Sequence, residues 1–149
     1  MTAKEVAVLN RILARHLSSL LQYLPHAQPW VPAEHQAIHQ RLQQLLEEEN
    51  QACQTLAAAV TRARGIPATA RFHPGFTSAH FLALERYLPW LVAYFRWLAA
   101  EDEQDLAQLQ DPEARGAAET MLATCRRHLE ELHQLQAQVS RGPALATLR

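Results

Sequence analysis

Apolar side chains recur along this chain at spacings of three and four residues, the period of helices that turn one face to a core. Four such stripes can be followed. The first reads Val6, Leu9, Leu13, His16, Leu20, Tyr23, and the second Ile38, Leu42, Leu45, Glu49, Ala52, Leu56, Ala59, Ala63. The third reads Phe81, Leu84, Leu88, Leu91, Phe95, Leu98, and the fourth Ala118, Met121, Cys125, His128, Leu132, Leu135, Val139. The pattern predicts an all-α fold in one domain.

Proline and glycine set the boundaries. Helix A is predicted from Lys4 to Leu24, stopped by Pro25, which has no amide to continue the turn. Helix B starts near Pro32, where a first-turn proline is tolerated, and ends at Gly65, read as a left-handed cap ahead of Pro67. Helix C starts at Thr77 or Ser78, runs to about Leu109 and is kinked at Pro89. Helix D opens with Asp111-Pro112-Glu113 and closes near Gly142-Pro143. The connections are short, long, short. This order predicts A beside B and C beside D, with the long connection crossing between the pairs.

Composition sharpens the picture. The 149 residues include 26 Ala and 23 Leu against six Val and three Ile, so strong helix formers far outnumber β-branched residues. A net charge of -1 gives no electrostatic reason to expect nucleic acid or an anionic membrane as partner. No apolar run approaches the ~18–20 residues of a membrane span, and Met1 to Glu5 lacks a signal-peptide core, so a cytoplasmic location is expected. Cys53 and Cys125 form no CxxC pair and read as reduced, buried thiols.

Four polar residues interrupt the stripes near the helix midpoints: His16, Glu49, Cys125 and His128. Aligned end to end, the helices place them in one central layer, where an unpaired carboxylate would cost several kcal/mol. Two readings satisfy them. One is a hydrogen-bonded network in which Glu49 accepts from His16 or His128. The other is a metal site, since Cys-x-x-His presents sulfur and imidazole on one helix face and Glu and His complete a four-ligand set suited to Zn, Cu or Fe.

The segment from Leu9-Asn10-Arg11-Ile12-Leu13 to Gln22-Tyr23-Leu24-Pro25-His26-Ala27 resembles the first helix of bacterioferritins. Gly65-Ile66-Pro67 is similar to the end of that family's second helix, and Arg126-Arg127-His128-Leu129-Glu130 to its second metal motif. The resemblance spans about residues 5 to 135 and implies a ferritin-like antiparallel four-helix bundle, with the long crossover between helices B and C. It also implies a di-iron centre built from a Glu on each of two helices and Glu-x-x-His on each of the others. Carried over, the first Glu falls on His16 and the second motif on Glu49 to Ala52. The third-helix Glu falls near Val92 or Ala93, and the last motif on Cys125 to His128. Only Glu49 and His128 match, so ordinary ferroxidase chemistry is expected to be lost. The haem-ligating Met position holds Asn50, so no haem is expected. Only Pro143 to Arg149 remain where a fifth, cage-closing helix would follow, which argues against a closed shell.

Other signals are weaker. Glu130 and His133 form a literal Glu-x-x-His but fall on the outer side; His35 and His39 are spaced to hold a metal but lie near a helix end. Glu47 and Glu48 read as a solvated acidic run. Trp90, Tyr94 and Trp97 form a second stripe on helix C, open to two readings: packing against the crossover, or a surface for a protein or small hydrophobic partner. Val8, Ile12, Leu17 and Leu21 add apolar surface to helix A and suggest a homodimer. Three functions remain open. They are a non-ferroxidase ferritin-like protein holding one transition-metal ion or a polar network, an iron-binding ferroxidase or storage protein with altered ligands, and a non-catalytic interaction protein.

Overall fold

A computed structural model describes residues 1–141. The described chain is helical, with four long helices packed together: α1 (Ala3–Leu17), α3 (Gln36–Arg62), α4 (Leu84–Leu106) and α5 (Pro112–Arg141), plus the one-turn α2 (Leu24–Ala27). Short 3-10 turns at Ala33–His35 and Pro74–Ala79 complete it. The apolar stripes face inward, with Leu9, Leu13, Leu42, Leu45, Leu91, Phe95, Leu98 and Leu132 all fully buried. No described helix is long and apolar enough to cross a membrane.

Polar contacts between helices give their order. Arg11 reaches Asp105 and Arg15 reaches Asp102, so α1 and α4 run antiparallel. Arg41 meets Glu131 and Arg62 meets Glu113, setting α3 antiparallel to α5. His16 meets Glu49, and Val6 lies against Gly65 just past the end of α3, which does the same for α1 and α3; Arg126 on Glu103 and His133 beside Arg96 orient α5 against α4. Helices α3 and α4 therefore point the same way. The segment between them, residues 63–83, must return along the length of the molecule, as predicted for the B–C connection; the first connection, residues 18–35, is nearly as long and not the short one expected.

Asn10 and Ser18 strap that crossover down. The Asn10 side chain donates to Ile66 O and accepts from Ala68 N, both at 2.9 Å, and Ser18 Oγ accepts from Arg71 N at 2.7 Å. Further on, Phe76 packs edge-on to Trp90 and Tyr94.

Element ends depart from the sequence reading where side chains compete for the backbone. Helix α1 stops at Leu17, not Leu24. Ser19 Oγ accepts from Gln22 N and turns the chain, and Pro25 then sits in the first turn of α2, where its missing amide costs nothing. Helix α4 starts at Leu84, not Thr77, because Trp30 pairs with the backbone of Leu82 and Leu84 and holds that stretch extended. Phe81, placed in the core stripe by sequence, is 73% exposed with φ 57°. Pro89 thus falls in the second turn of α4.

The end of α3 shows a finer correction. Arg64, not Gly65, carries the left-handed backbone, at φ 64°. Arg64 N bonds Thr61 O and Gly65 N bonds Val60 O, both at 2.9 Å, the paired pattern of a Schellman cap. Gly65 is required for a different reason: a Cβ there would come within 2.6 Å of Val6 Cγ1 and 2.9 Å of Val60 Cγ1. At the same end of the molecule Asp111 Oδ2 caps α5 through Ala114 N, as predicted. The predicted close of helix D at Gly142-Pro143, and the tail argument built on Pro143 to Arg149, lie outside the described residues.

Candidate functional site

Halfway along the core, the apolar packing gives way to a layer of ionisable side chains, one or more from each long helix. His16 comes from the last turn of α1, Glu49 from the middle of α3, Asp102 from α4, and Cys125 and His128 from α5. Each is 1% exposed. The helical period delivers them here because each continues an apolar stripe in phase with its neighbours.

His16 is the centre of this layer. Its Nδ1 lies 2.9 Å from Glu49 Oε2 and its Nε2 lies 2.6 Å from Asp102 Oδ2, so each ring nitrogen has a carboxylate partner on a different helix. Burial opposes a charge on the ring, but the hydrogen bonds to Asp102 and Glu49 outweigh it and raise the pKa to about 9. The ring is therefore an imidazolium at neutral pH. Both its nitrogens donate.

Each carboxylate is satisfied on its remaining oxygen. Ser19 Oγ donates to Glu49 Oε1 at 2.7 Å and Gln22 Nε2 does so at 3.0 Å. Asp102 Oδ1 accepts from Arg15 at 3.1 Å, and Arg15 also pairs with Asp105, which Arg11 holds at 2.6 Å. Burial would raise the Asp105 pKa, but the two guanidiniums together hold it below the ordinary carboxylate value. A chain of alternating charges therefore runs from Glu49 through His16, Asp102, Arg15 and Asp105 to Arg11 at the surface, with formal sum zero.

The four residues that the sequence singled out do not all converge. His16 and Glu49 meet directly. Cys125 joins His16 and Asp102 in a buried group whose ligand atoms all lie within 4.8 Å of one another. His128 turns instead to Glu48 at 3.3 Å, and its Nδ1 is buried with no partner. Burial lowers the His128 pKa against the pull of Glu48, leaving a neutral ring. Glu48, read from sequence as solvated, thus has a partner in the core.

Asp102 and Asp105 escaped the sequence reading, although a signal was present. The α4 stripe Leu91, Phe95, Leu98 continues in the same 4-3 rhythm to Asp102 and Asp105, which differ from it in charge and not in phase. The secondary candidates fall outside this layer. Glu130 and His133 are exposed, and His35 is buried with neither ring nitrogen bonded.

The donor set bears on what the layer can hold. A sulfur, an imidazole and a carboxylate suit one divalent transition-metal ion. Loading it would require His16 to give up a proton shared with two carboxylates and Cys125 to ionise, although burial pushes its thiol pKa well up. A di-iron centre fits poorly, because the two carboxylates nearest the middle, Glu49 and Asp102, both already hold His16. Compared with family models, curated proteins and solved structures, the chain matches none.

Proposed function

We propose that this chain is a ferritin-like, bacterioferritin-related helical protein without ferroxidase activity, in which a buried imidazolium does the work of the family's iron cations. Oxidation chemistry at a di-iron site needs carboxylates free to bridge two metals. Here Glu49, the one carboxylate that matches the family's pattern, and Asp102, which does not, are both held by a protonated histidine that ties α1 to α3 and α4, with Arg15 supplying the second positive charge. The observation that carries the reading is the placement of both His16 nitrogens on carboxylates, at 2.9 Å and 2.6 Å. The resemblance of residues 5 to 135 to bacterioferritins and the antiparallel order of neighbouring helices support the fold assignment. A homodimer belongs to the same reading, although Val8, Ile12 and Leu21 are already covered within the chain and cannot form its face.

One observation favours a second reading, a mononuclear metal site: the convergence of His16, Asp102 and Cys125. Metal analysis of protein purified without a metal-affinity tag separates the two. The imidazolium clamp predicts substoichiometric zinc, copper and iron, and Fe²⁺ oxidation no faster than in buffer. About one equivalent of metal, lost in Cys125→Ser, establishes the second reading. Two irons with accelerated oxidation overturn both.

A further inference from the structure

The crossover borders two adjoining open hollows against α1 and α4, with His73 and Tyr94 as a shared wall. One, of about 420 Å³, is lined by Phe76, Trp90, Tyr94 and Trp97, and Trp97 is 46% exposed. The other, of about 400 Å³, presents Ser18, Thr69 and Arg71. No Asp or Glu lines either among the described residues.

The polar half is a set of donors. His73 Nδ1 accepts from Gly75 N at 2.9 Å, which fixes the ring proton on Nε2. Ser18 Oγ accepts from Arg71 N at 2.7 Å and keeps its own hydrogen to give. Arg71 is exposed and makes no ion pair among the described residues, unlike Arg15 beside it, whose charge is matched by Asp102 and Asp105. A cationic ligand would find no acceptor charge here. A wholly apolar one would desolvate these donors without pairing them.

We propose that this groove binds a soluble amphipathic carboxylate, with its chain or ring against Phe76, Trp90 and Trp97 and its carboxylate at Arg71 and His73. The occupant is a free molecule and not a bilayer, since one exposed arginine supplies only about 1 kcal/mol of attraction to an anionic surface. Neither Arg71 nor His73 belongs to the His16 layer, which meets this groove through Arg15.

The test is a titration with dodecanoate, held below self-association and followed by tryptophan emission, alongside dodecanol and dodecylammonium. Saturable binding with dodecanoate tightest is expected. Arg71→Ala should weaken it about tenfold, the effect of one charge-assisted hydrogen bond, with Arg71→Lys recovering most of the loss. Because Arg71 is exposed on the crossover, these variants should melt like the wild type. Trp97→Ala should weaken dodecanoate and dodecanol alike. Equal affinity for dodecanol and dodecanoate, an Arg71→Ala variant that binds unchanged, or sedimentation with anionic vesicles without binding of free dodecanoate overturns the proposal.

Discussion

His16 and Asp102 stand 86 residues apart in the chain and 2.6 Å apart in the core. This contact joins the end of α1 to the third long helix, and with Glu49 it turns a buried histidine into a permanent cation at neutral pH.

Its pH dependence follows by linkage. The folded pKa of about 9 lies above the ordinary 6.5, so the folded state holds a proton that the unfolded chain releases earlier. The stability it contributes is complete below pH 6.5 and lost as pH rises through about 9. Urea midpoints should fall steadily across this window. In His16→Gln they should be nearly flat there, and a wild-type midpoint that does not move between these limits would sink the imidazolium assignment.

Breaking the clamp and replacing it should differ in cost. Asp102→Asn leaves a buried charge half-paired and should lower unfolding free energy by about 3–5 kcal/mol. A combined His16→Leu, Asp102→Leu and Glu49→Gln variant removes the charges together while keeping an acceptor for Ser19 and Gln22. It should lose less than the single substitution, as measured by urea denaturation. The reverse ranking would mean that the network itself, and not merely its completeness, stabilises the fold.

The α3 cap offers a separable test of backbone strain. Arg64→Gly removes a side chain from a left-handed residue and should stabilise by about 1 kcal/mol. Its neighbour behaves oppositely: Gly65→Ala drives a Cβ to 2.6 Å from Val6 and should lower the melting temperature. Calorimetry on the two variants checks the assignment of roles.

Both thiols should resist modification in the folded protein. Cys53 and Cys125 are 2% and 1% exposed, and burial raises both pKa values well above the ordinary thiol range. A disulfide-exchange reagent should react with neither until denaturant is added. Rapid labelling of one thiol in native buffer would show that its helix opens locally.

The helices were legible because burial demands periodicity, and periodicity is written residue by residue: Leu9, Leu13 and His16 on α1 and Met121, Cys125 and His128 on α5 lie where their spacing places them. Element ends were not. They depend on rival bonds from distant partners, such as Trp30 on Leu82 and Leu84, that no local window contains.

The residue pattern was enough to show a helical chain, a long connection between its second and third long helices, and polar positions at His16 and Glu49 within the apolar stripes. The tertiary structure alone decided which of those polar groups meet. Rotation and height of one helix against another decide whether a side chain points at a partner or past it. That is why His128 faces Glu48 rather than the centre, and why Asp102, on a charged stretch of α4, supplies the second carboxylate on His16.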